Sequence, residues 1–491
     1  MPSSPSSTLP LAGDVTGLDT STLARLMRDG DVSAAEVMRA CLARIALANG
    51  EVNAIVTLQD EAALLQAAAE ADAQLRCGGQ RPLTGIPVVV KDSIATAGMR
   101  TTWGSKLLAD HVPRADASAV ARLRQAGAIV VGKGNTPEFA TDLQTDNDLF
   151  GPTRNPLDLR LTPGGSSGGV SAAVAAGFAP LGIGTDYGGS IRWPAQCVAL
   201  VGLRPTCGLV PGTGQFAHSY RDQGLPNALG FQAGLQTIGP MARSVDDLEL
   251  ALTVMAGPDG KDPHAVPVPL LPSRTVELSR LRVGWLPGEG SHPVRADILD
   301  VLRGLVQTLE ASGLRVEERD PGVLRRAEEV FTRVRAIEGM ADVRPLVDGR
   351  EGQLSPHLRD VLAARPGHVA EYLEAMAERD YLRMQLLEML EEVPLVLMPV
   401  SLTPAFPLGD RELRVDGQHV NYWKIVAPCR AISLFGVPAA SVPCGRSRDG
   451  MPVSVQIVGR PFRDHEVLAM ARRITDLVPH PLGAAGEGAR R

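Results

Sequence analysis

No run of about 18 apolar residues occurs in this chain of 491, so the sequence predicts no transmembrane helix. A basic excess is missing too: 49 Lys and Arg face 55 Asp and Glu, and the net charge of −6 leaves no footprint for nucleic acid or acidic lipid. The six cysteines (Cys41, Cys77, Cys197, Cys207, Cys429, Cys444) contain no CxxC pair and read as reduced, mostly buried small side chains. No cluster of His, Cys and carboxylate has zinc spacing, and nothing calls for a metal or an organic cofactor. A GxxxxGK[ST] phosphate cradle is lacking, and the Gly-rich stretch at 164–169 does not follow GxGxxG. Aromatic residues are scarce at 4%, but that excludes nothing, because a few side chains set a pocket. The opening MPSSPSSTLPLAGDV has neither the positive start nor the apolar core of a signal peptide. Cytoplasmic residence is therefore expected, with 1–14 a disordered leader, 15–478 the folded unit and 479–491 a flexible tail.

What is present concentrates between Arg154 and Thr206. Two Gly-flanked serines stand there, Ser166 in PGGSSGG and Ser190 in GTDYGGSIR. Between them, 170–176 is a small-residue helical run stopped by Gly177, and 181–185 is a short apolar run that reads as a buried strand. Loop, helix, strand and loop in that order bring both serine loops toward one end of a sheet. The glycines before Ser190 let a backbone approach a ligand with its N–H groups free for an anion.

Elsewhere, Ser33 and Glu36 form a capping box before an amphipathic run carrying Val37, Cys41, Ile45 and Ala48 on one face, and 15–76 reads as largely helical, with a further helix at 61–75. The β-branched run 86–90 predicts a buried strand with Lys91-Asp92 at its end. A helix at 114–126 and a strand at 128–132 follow, then a long polar loop, GKGNTPEFATDLQTDNDLFGPTRNP, of the kind that often carries function. Further on, helices are predicted at 243–255, 294–311 and 464–474, and strands at 281–287, 393–399, 439–443 and 453–458. Residues 320–392 read as largely helical, and about 290–392 as an accessory or lid region. The alternation predicts one large α/β/α layered domain with a mixed central sheet.

GIPVVVKD, GGSSGG and GTDYGGSIRWP at these spacings resemble the amidase signature family, over about residues 17–474, with the core motifs in 85–206. The resemblance implies a Lys and two serines as the chemical groups. These are Lys91 as base, Ser166, on a cis peptide bond, as proton relay, and Ser190 as nucleophile. Backbone N–H groups of Tyr187, Gly188, Gly189 and Ser190 would form the oxyanion hole, Asp186 and Arg192 would fix the turn, and Ser167 would add a hydrogen bond or simply start a helix. The implied activity is hydrolysis of small amides, anilides or carbamates, as in bacterial amidases that are also urethanases. Water would be the second substrate, and neither nucleic acid nor membrane would take part.

Other readings compete. GGSSG also fits the GxSxG nucleophile elbow of α/β-hydrolases, which would make Ser166 the nucleophile of an esterase with a His such as His218 or His419, but the preceding DLRLTPG is polar and holds Pro163. A Cys–His nucleophile has no local support. Within the same family, the glutaminase-type component of the tRNA-dependent amidotransferase carries a segment close to AEASSNLARYDG, whereas the nearest stretch here is IEGMADVRPLVDG.

Overall fold

Every residue of Pro87–Lys91 is buried, as in a strand covered on both faces. It belongs to the mixed sheet of a computed structural model that describes residues 15–215, 230–363 and 366–482. The expected leader, the last residues of the expected tail and His218 lie outside the described residues. In chain order the strands are β1 (Ile55–Leu58), β2 (Pro87–Lys91), β3 (Ile129–Gly134), β4 (Leu181–Asp186), β5 (Val201–Arg204), β6 (Thr237–Ala242), β7 (Arg282–Trp285), β8 (Arg315–Glu318) and β9 (Leu395–Pro399). A small hairpin, β10 (Glu412–Val415) and β11 (Gln418–Asn421), precedes β12 (Ala439–Arg446) and β13 (Pro452–Gly459). The sheet has eleven strands in the order β1-β3-β2-β4-β6-β5-β12-β13-β9-β7-β8. β2 runs parallel to both β3 and β4, while β4 is antiparallel to β6 and β12 to β13, so the sheet is mixed as expected.

Several elements differ from the sequence reading. The largely helical stretch 15–76 contains, between its two predicted helices, the unpredicted β1, a four-residue strand antiparallel to β3 and too short for its period to register. β5, β6, β8 and the β10–β11 hairpin are likewise unpredicted. The helix expected from 114 begins only at Ser118, because Ala117 N–H donates to the Ala95 carbonyl and the Asp116 carboxylate accepts from Ala97 N–H and Arg124. The Ser33–Glu36 capping box is present, with Val37, Cys41, Ile45 and Ala48 buried beneath it.

The short helix Gly168–Ala175 is buried almost throughout and packs on β2, β3 and β4. Only small residues permit this approach: a Cβ on Gly169 would lie 2.1 Å from the Asn135 nitrogen. Between β8 and β9 the chain forms the helices Gly322–Glu338, Arg344–Val347, Pro356–Ala363 and Val369–Glu392. One apolar cluster, including Leu324, Phe331, Leu386 and Ile432, joins this region to the helix Ala427–Ser433. Another joins Val343, Leu346 and Leu358 to Trp103 and Phe139 of the core. The helical segment therefore covers the end of the sheet where β2 and β4 finish. Among the described residues no helix is long and apolar enough to cross a membrane.

Candidate active site

Lys91 is the last residue of β2 and is fully buried beneath the valines that precede it. Its Nζ lies 2.7 Å from Ser166 Oγ and 2.9 Å from Thr185 Oγ1. Burial pulls its pKa from 10.5 down to about 7, and the negative charge of Asp186 opposes that fall. Ser166 is 1% exposed, just ahead of the helix Gly168–Ala175, and its peptide bond with Gly165 is cis. Residues 162–165 ahead of it are not strand, so the geometry of a nucleophile elbow is missing. His419 belongs to the exposed hairpin, where it pairs with Glu412.

Ser190 stands in the turn after β4, and Asp186 organises that turn. Its carboxylate accepts from Gly189 N–H at 2.8 Å, Ile191 N–H at 3.1 Å, and Arg192 Nε and Nη2 at 3.0 and 2.8 Å. Burial raises its pKa, but the Arg192 and Arg204 guanidinium groups more than reverse this and hold it well below the usual carboxylate range. Arg192 in turn donates to the Cys429 carbonyl, Gln456 Oε1 and Ser433 Oγ, which ties the turn to β13 and to the helix Ala427–Ser433. Both members of the Asp186–Arg192 pair have fully buried side chains, so it is not a surface ion pair. Replacing Asp186 with Asn is expected to cost about 3–5 kcal/mol, because Arg192 then keeps only neutral partners. Urea unfolding measures this, and an unchanged midpoint would show that the carboxylate does not hold the turn.

One sequence expectation needs correction here. Gly189, at φ +113, gives its N–H to Asp186, which removes it from the set of donors free for an oxyanion. The N–H groups of Tyr187, Gly188 and Ser190 make no hydrogen bond among the described residues. Ser167 stands at the helix start, and its Oγ donates to the Thr185 carbonyl at 3.3 Å and accepts from the Thr185 amide at 3.4 Å. Ser167 also joins the two serine loops, since its N–H donates to the Ser190 carbonyl at 3.2 Å.

Ser166, Thr185, Tyr187 and Ser190 line one cavity of about 110 Å³. Its opposite walls come from Trp103, from Phe139–Thr141 of the long polar loop, and from Arg335, Glu338 and Met340–Val343 of the helical segment. Of the eight non-glycine residues with positive φ among the described residues, Trp103, Phe139, Ala140 and Met340 all line it, which is the clustering of backbone strain that functional sites show. A second buried lysine, Lys133, braces the chain leading to Trp103 through the Ile94 carbonyl, Thr96 Oγ1 and Thr101 Oγ1. Asp92 completes that brace by accepting from Thr102 N–H and hydroxyl. The sequence reading expected a lid over about 290–392 but named none of its wall side chains, and it missed Thr185, Trp103 and Lys133. Only Thr185, next to Asp186 inside the recognised motif, offered a local cue.

The chain belongs to the amidase family, which it matches over residues 36–468, and is by class a hydrolase of C–N bonds. Among its relatives, a glutamyl-tRNA(Gln) amidotransferase component (the A chain of that enzyme) from Roseiflexus sp. (strain RS-1) is 36% identical over 485 residues, covering 92% of this chain and 95% of that one. A chain solved in an inhibitor-bound vestigial protein complex, described as revealing the evolutionary origins of an s-triazine catabolic enzyme, superposes with a TM-score of 0.84 at 29% identity and covers 94% of this chain and 99% of its own. A 6-aminohexanoate cyclic dimer hydrolase solved with substrate gives 0.83 at 26% identity, covering 96% and 98%.

Proposed function

We propose that this protein hydrolyses small amides, anilides and carbamates through an acyl- or carbamoyl-enzyme on Ser190. The observation that carries the reading is a buried amine, near neutrality in pKa, 2.7 Å from a hydroxyl that shares a cavity with Ser190. A neutral amine has two N–H bonds and one lone pair. Thr185 Oγ1 takes one N–H, which leaves the lone pair for the Ser166 proton. Ser190 Oγ then attacks the carbonyl carbon while its proton passes to Ser166 and that of Ser166 to Lys91. Tyr187, Gly188 and Ser190 N–H face the developing oxyanion, and each such donor is worth about 3–4 kcal/mol. Return of the proton through Ser166 to the leaving nitrogen breaks the C–N bond. Water, activated by the same relay, then releases the acid and restores Ser190.

The relay sets the pH dependence. Lys91 works only when neutral, so kcat/KM rises about tenfold per pH unit up to a pKa of about 7 and levels above it. A pH–rate profile on an anilide measures this, and an optimum near pH 5 would exclude a lysine base.

The second reading within the family is a glutamine-using amidotransferase component, favoured by the identity of 36% to such a relative. Against it, the stretch that departs from AEASSNLARYDG is the cavity wall itself, with Glu338, Met340, Ala341, Asp342 and Val343 lining the site. A change of wall supports a change of substrate. A panel of glutamine, primary amides, anilides and aryl carbamates, read by ammonia and amine release, separates the two. Turnover of glutamine alone, together with co-purification of partner chains, would favour the amidotransferase reading.

A further inference from the structure

Apart from the reacting groups, two side-chain donors on the cavity wall have no acceptor among the described residues. Arg335, half-buried on the helix Gly322–Glu338, forms no ion pair and donates no side-chain hydrogen bond among the described residues. Tyr187 Oη is buried and has no partner there either; its ring packs against Phe331 at 5.0 Å and Phe231 at 6.5 Å, so the hydroxyl is held in place. Both line the cavity that holds Ser166 and Ser190. A hydroxyl buried without an acceptor is costly, and such groups are normally satisfied; the half-buried guanidinium beside it is a cation facing the cavity without a protein partner.

None of the neighbouring acids Glu338, Asp142 and Asp342 forms a salt bridge with Arg335. Glu338 Oε1 is taken by the Phe231 amide, and Asp142 is engaged by Arg411 and the Tyr422 hydroxyl. Burial lowers the pKa of Arg335, with Tyr187 and Asp142 opposing, as for a cation that lacks a close counter-ion. Burial also pushes Glu338 up to about 7, opposed by the Phe231 amide and reinforced by Asp342, so this wall can shed negative charge when an anion arrives.

Building on the hydrolase reading, we propose that Arg335 and Tyr187 Oη form a subsite for a carboxylate carried by the substrate away from its scissile bond. The guanidinium fork matches a carboxylate through paired N–H donors, and the tyrosine hydroxyl supplies a further donor. The substrate class is then an amide with a carboxylate on its acyl or its leaving arm.

Two matched pairs test this with the full chain. The mono-anilide of glutaric acid is compared with pentananilide, and 4-acetamidobenzoate with acetanilide, by amine release. The acid of at least one pair is expected to show the higher kcat/KM. Arg335→Met should reduce that acid-to-neutral ratio about 10- to 100-fold, the range for a hydrogen bond to a charged group. Arg335→Lys should keep a larger share. Glutarate should raise the Tm of the wild type but not of Arg335→Met, and this readout needs no turnover. Failure to cleave any probe, with the glutarate shift intact, would remove the hydrolase reading and leave the subsite standing. Equal kcat/KM within both pairs, or a glutarate shift unchanged in Arg335→Met, would overturn the subsite.

Discussion

Replacing Ser190 with Ala is expected to lower kcat on any cleaved anilide or carbamate by at least about 10⁴-fold, the scale seen when a covalent nucleophile is removed and only binding and the oxyanion donors remain. The fold should hardly notice. Ser190 is only partly buried and its Oγ makes no hydrogen bond to another described residue, so the stability change should stay within about 0.5 kcal/mol. The combination is diagnostic, because a loss of activity from misfolding would move the urea midpoint as well. Trapping adds a second readout: a slowly hydrolysed carbamate should add its carbamoyl mass to the wild type and not to Ser190→Ala. An esterase that used Ser166 through a nucleophile elbow would instead keep its activity in Ser190→Ala. The surroundings of Ser166 argue for the first outcome, since Lys91 and not a histidine holds that hydroxyl.

The groups that were legible in the sequence are those whose chemistry is marked by their own neighbours. Lys91 follows three valines, so a buried strand end was readable, and Ser166 and Ser190 sit among glycines that announce close backbone approach. The Asp186–Arg192 pair was suggested by its spacing about Ser190 together with the family resemblance. Thr185 was not, because its value comes from register: β4 pairs with β2, which brings Thr185 beside the lysine at the end of the neighbouring strand. The orientation of Gly189 N–H was hidden for a similar reason, since φ +113 turns it toward Asp186 rather than the cavity. The far wall was least legible. Trp103, Phe139 and Arg335 come from three distant segments, and only tertiary packing assembles them. The short strands β1, β5 and β8, of four residues each, carry too little periodicity to announce themselves.

Replacing Lys91 with Met is expected to abolish turnover and to remove a pH-dependent cost in stability. The activity loss follows from removing the base, and with it the sink for the Ser166 proton. The stability cost follows from the pKa. In the unfolded chain the amine titrates near 10.5, and in the folded protein near 7, with burial as the cause. Between those values the unfolded state binds the extra proton, so wild-type stability rises with pH across this window. Near pH 7 and below, that depression corresponds to a cost of about 5 kcal/mol. Methionine removes that cost. It also removes the contacts to Ser166 and Thr185 and so leaves two buried hydroxyls short of a partner, at about 1–3 kcal/mol each. The net change at pH 7 is therefore small, but its pH dependence is not. Urea midpoints of the two proteins at pH 7 and pH 10 should show the variant's stability relative to the wild type falling by about 3 kcal/mol, because by pH 10 most of the wild-type penalty has been relieved. Every other titrating group cancels in the difference. A difference that stays constant with pH would mean that the amine titrates normally in the folded protein, and a lysine that is charged at neutral pH has no lone pair with which to start the reaction.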